Sequence, residues 1–229
     1  MIPKIIHYCW LSNDPLPSNF IKYLNGWKQL MPDYEFMLWN FDRFDKNSSN
    51  WVKEAFDNKK YAFAADYIRL YALYNYGGIY LDLDVEVIKP FDSLLSGDYI
   101  LGYESNSQAI EAGVIGGKAK DQWLYDCLEY YQNRTFIKND GSFDNKPLPY
   151  ILHEIIKCNY PSFLQNILPF EYLTAKSLTT REIRVTNNTY CIHHFAGSWT
   201  SPYKKIKKKI KEILGVHITS FIIKIKNIC

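Results

Sequence analysis

The chain has 229 residues, 47% hydrophobic and 22% charged, which supports one sizeable folded domain and excludes a disordered chain. The net charge of +3 hides an asymmetry, because eight Lys and one Glu follow residue 200 and leave 19 basic against 23 acidic residues in 1–200. An acidic body with a basic tail excludes the evenly basic surface of a nucleic-acid binder and points to an anionic lipid or another local partner for the tail.

In chain order, Lys4–Trp10 is a short apolar run and reads as a buried first strand. Phe20, Ile21, Leu24, Trp27 and Leu30 fall at helical spacing, and Pro32 stops that helix. Glu35–Trp39 alternates as a second strand. Tyr61–Tyr76 is a long apolar helix ended by Gly77 and Gly78, after which Ile79–Leu81 restarts as a strand and runs into Asp82-Leu83-Asp84. Further strands are expected at Tyr99–Tyr103, Val114–Ile115 and Thr189–His193, and helices at Lys120–Asn133 and Tyr150–Lys157, with a polar surface loop over 134–148. Strands alternating with helices predict an α/β fold around a largely parallel sheet. Residues 1–200 read as one domain and 201–229 as a basic tail. Within that tail, 203–214 sets Tyr203, Ile206, Ile210, Ile213 and Leu214 on one helical face, with six Lys around the rest.

The five cysteines are widely spaced and form no C-x-x-C pair, so neither a disulfide framework nor a zinc site is indicated. No secretory leader and no run of 18 apolar residues is visible, so a cytoplasmic location is expected, with peripheral attachment to the membrane through 203–214.

Three constellations carry candidate chemistry. In an extended chain Asp82 and Asp84 point the same way, so both carboxylates can face one Mn²⁺ or Mg²⁺. A bare D-x-D is common by chance; its delivery by a buried strand to a sheet edge gives it weight. Asp66 and Arg69 share a face of the apolar helix, where buried charges either pair with each other or hold a ligand. His193 and His194 are adjacent on a strand and point to opposite faces, so one at most serves a given site. Trp10 stacks a planar base or packs in the core, and Glu104 and Glu111 are pocket carboxylates or exposed ones.

Taken together, Ile-Pro-Lys-Ile-Ile-His-Tyr-Cys-Trp (2–10), Pro-Asp-Tyr-Glu (32–35), Leu-Trp-Asn (38–40), Ala-Asp-Tyr-Ile-Arg (65–69), Gly-Gly-Ile-Tyr-Leu-Asp-Leu-Asp (77–84) and His-His-Phe-Ala-Gly-Ser-Trp (193–199) form an ordered set over residues 2–200. That set resembles glycosyltransferase family 32, which includes bacterial capsular and exopolysaccharide enzymes and yeast-type mannosyltransferases. The resemblance implies a GT-A nucleotide-binding sandwich, a divalent metal, a nucleotide-sugar donor (a UDP-hexose by family weight) and retention at the anomeric carbon. It also implies a saccharide or lipid-linked saccharide acceptor. By position, Tyr8 and Trp10 resemble donor contacts, and Asp66 and Arg69 the pair that grips the donor's sugar and ribose. Asp82 resembles a sugar contact that also approaches the metal, and Asp84 the direct metal ligand. His194 resembles the metal-binding His of an H-F-x-G segment, and Ser198 and Trp199 resemble lid residues at the diphosphate. Asp82, Asp84, Asp66 and Arg69 are thus the expected catalytic set. The chain departs from the family at Ala64-Ala65 and at Glu111-Ala112-Gly113, where an Asn-containing segment is usual. A non-catalytic nucleotide-sugar-binding or membrane-surface module of the same fold is the competing reading.

Overall fold

The structure is a computed structural model that describes residues 1–105, 107 and 109–197. Ser198, Trp199 and the basic segment 203–214 lie outside the described residues. The central sheet contains β1 (Ile5–Cys9), β2 (Glu35–Trp39), β3 (Gly78–Leu81), β5 (Tyr99–Ile100) and β6 (Val114–Gly117), in the spatial order β2-β1-β3-β6-β5. β1 pairs in parallel with β2 and β3, whereas β6 is antiparallel to both β3 and β5. Four of the five strands therefore run one way, as the buried apolar runs led one to expect. A separate ribbon pairs β4 (Val85–Val87) with β7 (Cys191–His193), antiparallel, with Val85 opposite His193.

Helices cover both faces of the sheet. Ile6, Tyr8, Ile79, Leu81 and Val114 share one core with Phe20, Leu24 and Trp27 of α1 (Ser18–Leu30). Tyr80 and Ile115, one residue out of phase, face the opposite core. That core is built by α2 (Asn50–Asp57), α3 (Tyr61–Tyr76), α4 (Gln122–Glu129) and α5 (Leu148–Asn159). Alternation along each strand thus feeds two layers. A helix as apolar all round as α3 must be buried; Ala64, Ile68, Leu70, Ala72 and Leu73 are fully covered. Gly77 ends α3 with φ +65°, its N–H donating to Leu73 O at 2.8 Å. At Gly78 (φ +102°) a Cβ would stand 2.5 Å from Ile5 O, so only glycine lets β3 close against β1.

The boundaries differ from expectation in instructive ways. α2, β4 and the short α6 (Phe170–Leu173) were not anticipated. Segment α2 starts at a Ser49 cap, whose side chain accepts from Val52 N. The strand expected at Thr189–His193 is three residues long and leaves the main sheet to pair with β4.

β1 also buries an ionisable group. His7 is fully covered; its Nε2–H donates to Gly77 O at 2.7 Å, and its Nδ1 accepts from Trp39 Nε1 at 3.0 Å. With Nδ1 used as an acceptor the ring is held neutral, and burial lowers its pKa to about 4 against the Gly77 carbonyl bond, which favours the charged ring. A depressed histidine contributes stability that is whole above its unfolded pKa near 6.5 and is lost as pH falls toward 4. Urea unfolding at pH 7 and pH 4.5 should show a loss at the lower pH of up to about 3 kcal/mol from this group. His7→Gln, whose amide can donate and accept in the same places, should have a correspondingly shallower pH dependence; identical profiles for both proteins would exclude His7 as the source.

Candidate active site

The site forms where β3 runs out. Asp82 N still bonds Gly113 O across to the β6 side at 2.8 Å, and then Val85 N closes a turn on Asp82 O at 3.0 Å. Asp82 and Asp84 thus sit on a tight turn, not on an extended segment. Their carboxylates nonetheless converge, because the β4–β7 register carries His193 to them. His193 Nε2 lies 3.2 Å from Asp84 Oδ1 and 3.9 Å from Asp82 Oδ2. One ligand atom from each of the three lies within 4.8 Å of the other two.

This is a correction to the expected ligand set. His194 and not His193 was expected beside the carboxylates, yet strand alternation turns His194 away. Its Nε2 bonds Glu86 Oε2 at 2.7 Å, and its ring stacks on Tyr23 with centroids 5.1 Å apart and planes 8° apart. Only its backbone meets the site, His194 N donating to Asp84 O at 3.0 Å.

α3 supplies the cation that holds the cluster. Arg69 donates to Ala112 O at 2.5 Å and reaches Asp66 Oδ1 at 3.1 Å and Asp82 Oδ1 at 3.4 Å, with its guanidinium over the Tyr80 ring. Asp66 and Arg69 therefore pair with each other, as their spacing allowed, and also tie α3 to the Asp82–Asp84 turn. Tyr80 OH donates to the same Asp82 oxygen at 3.0 Å. Asp82 keeps 28% of its side chain exposed, whereas Asp84 is 8% exposed overall and accepts from Ala196 N. The open face of the pair is at Asp82.

The segment entering β6 brings a further acid. Glu111 is 1% exposed; its carboxylate contacts His193 Nδ1 at 3.0 Å and accepts from Gly113 N at 2.6 Å and Thr174 Oγ1 at 3.1 Å. Its signal in the sequence was one acid inside an apolar run. Thr174, Tyr23 and Glu86 carried no such signal. Gly113 is required here: a Cβ would meet His193 Cε1 at 2.7 Å and Asp82 Oδ2 at 3.0 Å.

Charge follows from this geometry. Burial disfavours a charged His193, but the carboxylates of Glu111 and Asp84 outweigh it and raise its pKa well above the usual value. Burial likewise pushes Asp84 up, yet the His193 charge, its hydrogen bond and the Ala196 N–H hold the carboxyl well below the ordinary range. Asp66 is raised to about 6 by burial against the pull of Arg69, and Glu104 to about 7 by burial and by the nearby Glu111. Two carboxylate oxygens facing one imidazole nitrogen attract a proton or a hard divalent cation, so the donor set fits Mn²⁺ or Mg²⁺.

The structure brings the remaining expected residues together only in part. Trp10 is half-buried just past β1, its Nε1 donating to Asp14 O at 2.8 Å and its ring edge against Phe20. Tyr8 is packed into the core, 7% exposed, against the edge of Trp27. It is not gathered into the carboxylate cluster, because it faces the α1 side of β1.

The chain is also similar to known proteins. Residues 17–101 match the family described as glycosyltransferase sugar-binding region containing DXD motif. The chain is 39% identical over 98 residues to inositol phosphoceramide mannosyltransferase 3 of Schizosaccharomyces pombe, covering 41% of this chain and 27% of that protein. It is 38% identical over 144 residues to mannosyl phosphorylinositol ceramide synthase CSH1 of Saccharomyces cerevisiae, covering 60% of this chain and 38% of that one. The chain thus spans well under half the length of these two relatives, which are fungal mannosyltransferases and not capsular enzymes by name. Among solved structures, the PaToxG glycosyltransferase superposes with a TM-score of 0.54 over 72% of this chain and 73% of its own, at 18% identity. That likeness establishes a GT-A glycosyltransferase fold.

Arg69 compensates the buried Asp66 and the half-buried Asp82, and removing one partner of such a network costs far more than an exposed pair does. Arg69→Met should therefore lower unfolding stability at pH 7 by about 3 kcal/mol or more, read from urea titration. A loss under about 1 kcal/mol would mean that the cluster does not depend on this cation.

Proposed function

We propose that this protein is a metal-dependent, retaining glycosyltransferase. It would move a hexose from a nucleotide sugar to a hydroxyl of a saccharide or lipid-linked saccharide. The observation that carries the reading is the convergence of Asp82, Asp84 and His193 at the C-terminal edge of β3, where open α/β sheets bind their ligands. The printed names of the fungal relatives favour mannose as the sugar, and they leave the expected UDP-hexose to be weighed against GDP-linked donors.

A divalent cation on those three side chains would stabilise charge that develops on the departing diphosphate. The chain's own residues have separate tasks. Arg69 holds Asp82 and Asp66 in register, so that both carboxylates face the donor without reorganising. Asp66 and the open side of Asp82 hydrogen-bond sugar and ribose hydroxyls. Trp10, at the end of β1, stacks on the base. Ser198 and Trp199, read from the sequence alone, close on the diphosphate. Among the described residues no side chain stands out as a covalent nucleophile, so a double displacement is not proposed; with the retention that the family resemblance implies, the acceptor hydroxyl would attack from the side the diphosphate leaves.

A thermal-shift panel of UDP- and GDP-sugars with and without Mn²⁺ tests the donor class, since a ligand bound by the folded state alone raises its melting temperature. The expected result is a metal-dependent shift with one nucleotide and none with Asp84→Ala, which should stay folded and lose donor turnover. Of the two histidines, His193→Ala should lose nearly all turnover and His194→Ala should keep a measurable share; the reverse order would reassign the ligand. Donor binding without transfer or hydrolysis in the presence of Mn²⁺ would favour the non-catalytic module.

The reading extends to the six Lys of 204–211, which would draw the enzyme to an anionic cytoplasmic leaflet by roughly 1 kcal/mol per basic residue near the surface. The full chain should float with phosphatidylserine vesicles at low salt and not at 0.5 M salt. A variant with those six Lys changed to Gln should fail to float at either salt; flotation of that variant equal to the parent's would remove the membrane from the proposal.

A further inference from the structure

Glu111 is the one acid of the cluster that faces the back of His193. Its carboxylate only accepts, so its 3.0 Å contact with His193 Nδ1 makes that nitrogen the donor. In the neutral ring the lone pair then lies on Nε2, the nitrogen that faces Asp84 Oδ1 at 3.2 Å and Asp82 Oδ2 at 3.9 Å. A lone pair aimed at two carboxylates is repelled by them unless a proton or a divalent cation stands between, and a divalent cation takes the place of that proton. The orientation is over-determined. A ring flipped about its Cβ–Cγ bond would put a carbon against Glu111, and Gly113 packs so closely on Cε1 and Nδ1 that not even a methyl group fits. Glu111 is itself fixed by Gly113 N and by Thr174 Oγ1, from two different segments of the chain.

We infer that Glu111 is a positioning residue: through Nδ1 it selects the tautomer and ring angle of His193 that offer Nε2 to a divalent cation shared with Asp82 and Asp84. The inference rests on the proposed metal-dependent reading and adds to it a group that does not touch the ion. A buried carboxylate behind a ligating imidazole both orients the ring and makes it a stronger donor, and losing such a partner costs about ten- to a hundred-fold in metal affinity.

The test measures Mn²⁺ binding to the full chain from the paramagnetic resonance signal of free Mn²⁺, alone and with UDP or GDP added. Melting temperature without metal is recorded in parallel. Glu111→Gln keeps an oxygen for Gly113 N and Nδ1, removes the charge and makes Thr174 Oγ1 accept where it now donates, so it should bind Mn²⁺ about tenfold more weakly. Glu111→Ala removes the orientation too and should bind about a hundredfold more weakly. Leu128→Ala, a buried truncation in α4, should lower the melting temperature and leave Mn²⁺ affinity unchanged, which separates positioning from general destabilisation. If Glu111→Ala does not fold, the Gln variant decides. Affinity within twofold of the parent's in the folded Glu111 variants, with binding abolished by Asp84→Ala, would overturn the role of Glu111 and leave the metal reading standing. Failure of the unaltered chain to hold Mn²⁺ under any of these conditions would overturn both.

Discussion

Four carboxylates and two cations share the water-poor space where β3, β4 and β7 meet, and the arrangement of the surrounding chain follows from keeping them apart and paired. Asp66, Asp82, Asp84 and Glu111 cannot be buried as charges without partners. Arg69 answers for the first two and His193 for the last two. The two cations come from different elements outside the Asp82–Asp84 turn: Arg69 from α3, which also carries Asp66, and His193 from β7. The long apolar helix and the short ribbon are therefore both needed for the acids to sit so close together. Asp82, the least covered of the four, is the side on which the cluster opens to solvent.

Much of this was legible in the residues. β2 and α3 have the limits that their patterns indicated, since one alternates cleanly and the other is apolar throughout and stopped by two glycines. The pairing of Asp66 with Arg69 was one of the two outcomes that i,i+3 spacing in an apolar helix left open. The identity of the histidine did not follow. Alternation guaranteed that His193 and His194 face opposite ways, but which way each faces depends on a register with β4, a three-residue strand with no pattern of its own. Likewise the i, i+2 argument for Asp82 and Asp84 reached convergent carboxylates through extended geometry, where the chain uses a turn. Tyr8 shows the same limit, because facing one side of a buried strand can mean facing the core.

Glu111 illustrates a different kind of legibility. An acid inside an apolar run is visible at a glance, but its partners lie 63 and 82 positions away in the chain, at Thr174 and His193. Local patterns announce that such a group must have company; they do not say which company. Only the fold, by returning residues 174 and 193 to the edge of β6, supplies the answer.

The reversed direction of β6 has a consequence for how such a protein can diversify. Because β6 opposes its neighbours, its beginning and not its end lies at the rim where Asp82, Asp84 and His193 converge, so the stretch entering it, from the Tyr103–Ile110 bridge to Gly113, arrives there without a crossover helix. The residues between Tyr103 and Ile110 can lengthen or change character while Ile110 and the strand pairing after it stay as they are. Changes in chain length there would thus alter the rim without altering the strand pairing beneath it.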